Sequence, residues 1–475
     1  YGSQYLHTPH LDRLAQRGLR FERAYSNSPI CSASRQSLLT GKYPHATGVN
    51  QLFTPFPDEG NVTLAEYLGQ HGFRSSLIGK NHFNNWVWWP LYQDGLPTHG
   101  FDQLITGQDY RRWLAAHPPA PLPTGVRTRV SEAGEGIAWE KNADMLPVPC
   151  RSAESEAAYF VDQALAFRAA AGEEPTFTWL AFHEPHAPFA FPIEYRQRYH
   201  PDSVPLPSGS PEDERWIPEI FRGLTEAERR GIITSYYRSV SHLDAKVGRL
   251  LDTLAARGWL DQTLIVYLGD QGYLLNEHRR FEKHTFWEEA VRAPWLISGP
   301  GIPQGAVHAP PVSFVDLAPT LTDLLGLPSH PDFQGESLRP ALAAPQTAST
   351  GAYQFSEYLI DHKAMITDGR WKYIFATGSR DLALSYATGK GPSGLSHRLY
   401  DLQADPEEYT NLAANRDQQA RIKDMQQVML GFFDRTHPEA SQCPQGLTRV
   451  GQLVWYCEPR DLGGGYEERP ARVFE

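Results

Sequence analysis

Thr263-Leu264-Ile265-Val266-Tyr267-Leu268 is a continuous apolar run that delivers Gly269-Asp270-Gln271-Gly272. A run without polar alternation is what a parallel sheet buries on both faces. The pattern before it, from Glu226 through Tyr236, Val240, Leu243, Val247, Leu250, Leu251 and Leu254, keeps helical spacing and stops at Gly258. Outward from this pair the alternation continues. Toward the N-terminus come a strand over 175–182, a helix over 154–170, a strand over 75–79, a helix over 63–68, and a short amphipathic helix carrying Leu11, Leu14 and Ala15 before Gly18. Toward the C-terminus come a strand over 293–297 and a helix over 314–325. Strands alternating with helices predict an α/β fold with a large, mostly parallel sheet sandwiched by helices. Past about residue 340, short runs at 353–358, 364–367, 371–375 and 398–402 and one helix over 418–433 predict a smaller C-terminal α+β domain on an antiparallel sheet. The expected division is 1–340 and 341–475. Residues 84–149 read as irregular, 188–211 as a long surface loop, and the tail beyond 433 as lacking a period.

The chain has 475 residues, 41% hydrophobic and 21% charged, which fits a large α/β domain with a smaller partner. No run of about 18 apolar residues occurs, so no membrane span is expected. A net charge of −11 argues against nucleic acid or an anionic membrane as the main partner. It leaves room for an anionic small substrate in a locally cationic cleft. Four cysteines (Cys31, Cys150, Cys443, Cys457) are too few for a disulfide framework, and Cys443 with Cys457 read equally as one bridge or two thiols. Asn61-Val62-Thr63 matches a glycosylation acceptor, a tripeptide common by chance. Compartment and oligomeric state are open.

Four polar clusters follow strand ends or a helix start: Cys31 with Arg35, Lys80 with His82, His183 with His186, and Asp270 with Gln271 near Lys283. In open α/β sheets, ligands bind beyond the C-terminal ends of strands. Cys31 opens a helix that Gly41 is placed to stop, so its thiol would meet free backbone N–H groups and the positive end of the helix dipole. Taken singly, each cluster also reads blandly: a buried thiol, a capped turn, a solvated lysine. Together they hold one nucleophile, several cations, imidazoles, and a carboxylate beside an amide oxygen. That set suits transfer of an oxyanion ester, with hard oxygens for a divalent cation and cations to spread the charge of a sulfuryl or phosphoryl group.

Cys31-Ser32-Ala33-Ser34-Arg35, with Leu39-Thr40-Gly41-Lys42 behind it, resembles the sulfatase signature C-x-(P/A)-x-R followed by L-T-G-R, with Lys42 for the final Arg. The resemblance continues through Thr8-Pro9-His10-Leu11-Asp12, Gly79-Lys80-Asn81-His82, His183-Glu184-Pro185-His186, Asp270-Gln271-Gly272, Glu277-His278, Lys283, Pro300-Gly301 and Leu399-Tyr400-Asp401-Leu402. It covers nearly the whole chain.

The resemblance implies that a maturation enzyme oxidises Cys31 to formylglycine, whose hydrated aldehyde attacks sulfur. It implies that Arg35 holds the diol, Lys80 and Lys283 bind sulfate oxygens, His82 deprotonates the diol, and His186 serves the leaving group, with His183 a weaker candidate. Asp270, Gln271 and residue 31 would bind calcium, Gln271 standing where the family usually has Asn or His. The implied function is hydrolysis of a sulfated carbohydrate or other small organic sulfate. The alternatives are a phosphonate monoester or phosphodiester hydrolase on the same scaffold, and an inactive relative that binds sulfated ligands. Trp86, Trp88 and Trp89 could stack on a sugar, an aryl group or a quaternary ammonium, or simply pack their loop. The family usually places a first strand and a pair of Asp ligands before the region matched by Tyr1-Gly2. Without them the sheet is expected to be one strand short and the calcium shell underfilled, so the sequence reads either as a piece of a longer protein, which the apolar surface of a sheet lacking a central strand favours, or as an impaired relative. Restoring such an extension is expected to raise calcium affinity and turnover.

Overall fold

The structure, a computed structural model, describes residues 2–50, 54, 56, 57, 59–83, 97–345, 353–378 and 394–458. Its strands are β1 (Gly18–Tyr25), β2 (Arg74–Gly79), β3 (Gln103–Ile105), β4 (Thr176–Ala181), β5 (Ile265–Leu268), β6 (Leu274–Leu275), β7 (Phe281–Glu282), β8 (Trp295–Ser298), β9 (Ala306–Ser313), β10 (Gln354–Tyr358), β11 (Lys363–Thr367), β12 (Trp371–Ala376) and β13 (Ser396–Asp401). The helices that matter below are α1 (Pro9–Gln16), α2 (Cys31–Thr40), α3 (Glu156–Ala170), α4 (Glu226–Ala256), α5 (Gln419–Thr436) and α6 (Arg449–Cys457).

The α/β part contains two sheets, β3-β2-β4 and β5-β8-β1-β9. Parallel pairings (β2–β3, β2–β4, β1–β9) outnumber antiparallel ones (β1–β8, β5–β8), but β5, whose apolar run predicts a parallel strand buried on both faces, pairs among the described residues only with β8, antiparallel, and is partly exposed. β8 runs against both β1 and β5, so those two strands point the same way. On one side β4 and β5 share a cluster in which Leu180, Phe182 and Ile265 pack around Val161, Leu165 and Leu254 of α3 and α4. On the other, Trp179, Leu264, Val266 and Leu268 pack against one shared core cluster. Among the described residues no strand pairs with the outer edge of β4 or β5, and both remain partly exposed along most of their length. α4 is the long helix the sequence predicts, opened by a reciprocal cap between Thr225 and Glu228.

The C-terminal sheet is antiparallel in the order β10-β11-β12-β13. Strand alternation divides its side chains cleanly. Ala364, Ile366, Tyr373, Phe375 and Leu399 pack on Met425, Met429, Phe433 and Tyr456 of α5 and α6. Met365, Ile374 and Tyr400 face the other way, onto Tyr25, Ile30 and Ala33, the segment that carries the cysteine motif.

Several expectations are corrected. Within 97–149 the chain forms β3 and a capped helix, Gly107–Ala116, rather than a wholly irregular segment; the cap, Thr106 with Asp109, is a local signal that outweighs the absence of a long period. Trp86, Trp88 and Trp89 lie outside the described residues. Residues 188–211 are no surface loop, because Phe189, Tyr199 and Val204 are buried against α4. β9 escapes the sequence reading because Pro310-Pro311 argues against a strand; it is tolerated at the edge of its sheet, beside β1. The tail forms α6, capped by Thr448, whose hydroxyl accepts from the Gly451 amide at 3.1 Å. No disulfide joins Cys443 and Cys457. Asn61 is buried, and its side-chain nitrogen donates to Thr47 O (3.1 Å) and Pro57 O (2.9 Å), so it is no exposed glycosylation acceptor. No described helix is long and apolar enough to cross a membrane.

Burial, together with the neighbouring Glu408 and Glu277, pushes the Glu289 carboxyl from 4.5 up to about 8. The folded chain therefore keeps a proton that the unfolded chain releases above 4.5, and stability falls as pH rises from there through about 8. Melting temperature is expected to drop by about a few degrees between about pH 5 and about pH 8, and Glu289→Gln to flatten that slope. Parallel melting curves for the two proteins would assign the slope to another group.

Candidate active site

β1 leads through Ser26–Ile30 into α2, and Cys31 is the first residue of that helix. Its N-cap, Ile30, is extended and offers no side-chain cap to the first-turn N–H groups, at the positive end of the helix dipole where Cys31 stands. Gly41 ends the helix with φ +63°, its amide on Ser37 O at 2.9 Å. The other clusters arrive where the sequence places them, just past strand ends. β2 delivers Lys80 and His82, β4 delivers His183 and His186, and β5 delivers Asp270 and Gln271. Lys283 follows the hairpin of β6 and β7, a turn with left-handed backbone at Asn276, His278, Arg279, Glu282 and His284.

These groups converge on one sulfur. Lys283 Nζ donates to Cys31 Sγ at 2.8 Å, and Lys80 Nζ and Gln271 Nε2 each lie 3.5 Å from it. Arg35, one turn along α2, sends Nε to Asp270 Oδ2 (2.7 Å) and Nη1 to Lys80 O (2.9 Å), tying the ends of β2 and β5 together. Ser26 and Ser34 both donate to Asp270 O. Gln36 reaches His82 O at 3.3 Å. Cys31, Lys80, His82 and Lys283 are all buried, with Cys31 only 1% exposed.

Burial opposes ionisation of the Cys31 thiol, yet Lys283 and Lys80, with hydrogen bonds to His186 and His82, hold it well below the ordinary thiol value. The reciprocal effect raises Lys283 above the usual lysine value despite burial. Lys80 is lowered, chiefly by burial. Burial and the adjacent Lys80 push His82 down to about 3, and burial with Lys80 and Lys283 pushes His186 down to about 4, so both imidazoles are neutral near pH 7. His186 Nδ1 lies 2.8 Å from Ala187 O, which can only accept; this assigns the proton to Nδ1 and leaves Nε2 as an acceptor. Burial opposes the Asp270 carboxylate as well, and Arg35 keeps its pKa low.

Not every sequence candidate arrives. His183 pairs with Glu156 at 2.6 Å instead of meeting the sulfur. Lys42 bonds Gly60 O (2.8 Å) and Asn61 Oδ1 (3.0 Å) and closes a loop. The sequence reading passes over Lys363 and Lys372, which reach the segment carrying Lys283. A signal was available: in Lys363-Ala364-Met365 and Lys372-Tyr373-Ile374, each lysine alternates in phase with a buried apolar residue, on the face turned toward the cysteine segment.

For a divalent cation the site offers the Asp270 carboxylate and Gln271 Oε1, a buried oxygen without a hydrogen-bond partner. Both are hard donors beside residue 31, correct in kind for calcium. They are fewer than the six to eight oxygens calcium takes. Among the described residues no group of three or more His, Cys, Asp or Glu is placed to hold a metal.

A family model described as sulfatase matches residues 1–327, and one described as N-sulphoglucosamine sulphohydrolase, C-terminal, matches residues 276–433. The choline-sulfatase of Rhizobium meliloti is 28% identical over 437 residues, which cover 87% of this chain and 79% of that protein. A phosphonate monoester hydrolase from Silicibacter pomeroyi shares the fold with a TM-score of 0.75 at 24% identity, over 93% of this chain and 94% of that one. A structure in complex with its substrate D-glucosamine-2-N,6-O-disulfate aligns with a TM-score of 0.67 at 21% identity, over 92% and 95% of the two chains.

Proposed function

We propose, for a chain that belongs to the sulfatase family and is a sulfuric ester hydrolase, that a formylglycine made from Cys31 splits the ester, with calcium bound beside it. The observation that carries this reading is the convergence of Lys283, Lys80 and the start of α2 on one sulfur atom. That position marks where the diol oxygens of the matured residue would lie.

One diol oxygen forms a bond to sulfur as the ester oxygen–sulfur bond breaks and the alcohol departs. The proton released by the attacking hydroxyl passes to Nε2 of the neutral His186, which hands it on to the leaving oxygen. The second diol hydroxyl then gives its proton to His82, which is neutral and able to accept it. The carbon–oxygen bond to sulfate breaks, the aldehyde reforms, and water hydrates it for the next cycle. Lys283 and Lys80, both buried, bind the sulfate oxygens and offset their charge. Arg35 positions Asp270 and the end of β2, and through them the diol. Asp270, Gln271 and residue 31 are the ligands this chain offers to calcium, which when bound polarises a sulfate oxygen.

The substrate class is a small organic sulfate, a sulfated carbohydrate first. What supports this is the family model named for a sulphoglucosamine sulphohydrolase over 276–433 and the disulfated glucosamine held by one structural neighbour. Choline sulfate is the next candidate, from the relative of that name. A second reading, phosphonate monoester hydrolysis, has the likeness to the Silicibacter enzyme in its favour.

Protein coexpressed with a formylglycine-generating enzyme is expected to show a Cys31 peptide with the mass of the aldehyde. It should also turn over 4-nitrophenyl sulfate at least about tenfold faster than 4-nitrophenyl phenylphosphonate. The reverse ratio would favour the phosphonate reading. An unmodified thiol with no turnover would favour an inactive relative.

A further inference from the structure

The segment that carries Lys283 is gripped from the far side by the C-terminal sheet. Lys363, at the start of β11, donates from Nζ to His284 O at 2.8 Å and pairs with Asp361 at 3.1 Å. Lys372, on β12, donates to Phe286 O at 2.9 Å and lies between Glu288 (2.7 Å) and Glu408 (2.9 Å). Lys372 is fully buried and Lys363 nearly so. A lysine on a solvated sheet face needs no such partners. Here two cations are sunk under a sheet and aimed at carbonyls one and three residues beyond Lys283. Burying a charge this way is costly unless it is paired and hydrogen-bonded, and both lysines are.

The backbone they hold is of a kind that relaxes if released. Glu282 (φ +75°) and His284 (φ +73°) are left-handed non-glycine residues on either side of Lys283. Further contacts hold the same loop in place: Lys141 pairs with Glu282, His284 N bonds Pro29 O at 3.3 Å, and Glu288 N bonds Glu408 Oε2 at 2.6 Å. Pro29 lies two residues before Cys31, so the same loop is fixed both to the nucleophile's segment and to the C-terminal sheet.

We infer that Lys363 and Lys372 are positioning residues: through the His284 and Phe286 carbonyls, the C-terminal sheet sets where the Lys283 ammonium sits over the nucleophile. The C-terminal sheet is then part of the catalytic apparatus as well as a cover for its own helices. The inference rests on the reading that Lys283 binds sulfate oxygens.

A double-mutant cycle on the matured enzyme tests it. Lys363→Met alone is expected to lower kcat/KM for 4-nitrophenyl sulfate by roughly tenfold to a hundredfold, with KM raised. Lys363→Arg should restore most of the loss. In a Lys283→Ala background the same Lys363→Met change should cost less than about twofold, since nothing remains to be positioned. If Lys363→Met folds poorly because it strands Asp361, Asp361→Asn with Lys363→Met removes both charges and enters the same cycle. An equal penalty in both backgrounds, or a fall in kcat that only tracks the folded fraction with KM unchanged, overturns the positioning role. A Lys283→Ala enzyme with undiminished turnover overturns the role of Lys283 itself, and this inference with it.

Discussion

Cys31→Ala, in protein made alongside a formylglycine-generating enzyme, is expected to lower sulfate ester turnover by roughly 10⁴-fold or more while leaving the fold intact. The cost is large because Cys31 is the site on which the others converge: Lys283, Lys80 and Gln271 lie on Sγ, and His82 and His186 bond to it as well. The informative control is Cys150→Ala. Cys150 is also a buried thiol, but burial and the nearby Glu154, Glu194 and Glu184 push it up to about 12. Two thiols of similar burial are therefore driven in opposite directions by their neighbours, one by lysines and the other by carboxylates. Cys150→Ala should leave kcat/KM within about twofold of the parent. Equal losses in the two variants, measured with 4-nitrophenyl sulfate and normalised to folded protein, would remove Cys31 from the chemistry.

Lys283→Ala is expected to cost roughly 10²- to 10³-fold in kcat/KM, the size seen when one preorganised donor to a developing oxyanion is deleted. Its ammonium sits nearest the reacting position, at 2.8 Å from Sγ, and Cys31 and Asp270 hold its pKa above the ordinary lysine value despite burial. Lys80, at 3.5 Å and lowered by burial, remains in the variant and limits the loss. Lys283→Arg is not expected to rescue, because a planar fork needs more room than a buried ammonium vacates. Inorganic sulfate, the product, reports the same contact without chemistry. Its inhibition constant should rise by about tenfold or more in Lys283→Ala. Unchanged sulfate inhibition would place the role of Lys283 elsewhere.

Cys31 and Lys283 stand 252 residues apart in the chain, yet most of their neighbours at the site are legible locally. Cys31, Lys80, His186 and Asp270 each announce themselves locally, as polar residues just past an apolar strand or at a helix start. The C-terminal ends of strands running the same way in an α/β sheet meet at one edge, so local order predicts convergence. Lys363 gives no such signal to a reader looking at strand ends, because it acts from a strand start in the other sheet. β9 was hidden by Pro310-Pro311, which a central strand would reject and an edge accepts. Residues 188–211 read as a surface loop because a polar, proline-rich segment has no period, and burial of Phe189 and Tyr199 needs the long helix α4 to be placed first.

What the sequence determined by itself was periodicity and local chemistry: apolar runs that enter the sheets, helices that start and stop at capping residues, and the residue types an ester hydrolase needs. These follow from forces acting over a few residues, and so they survive without knowledge of the rest. What only the tertiary structure decided was partnership. His183 turned to Glu156 while His186 turned to the sulfur, Arg35 spent its donors on Asp270 and Lys80, and Lys42 closed a loop. Charge and hydrogen bonding are settled by which group lies within about 3 Å, and that distance is fixed by packing between segments hundreds of residues apart.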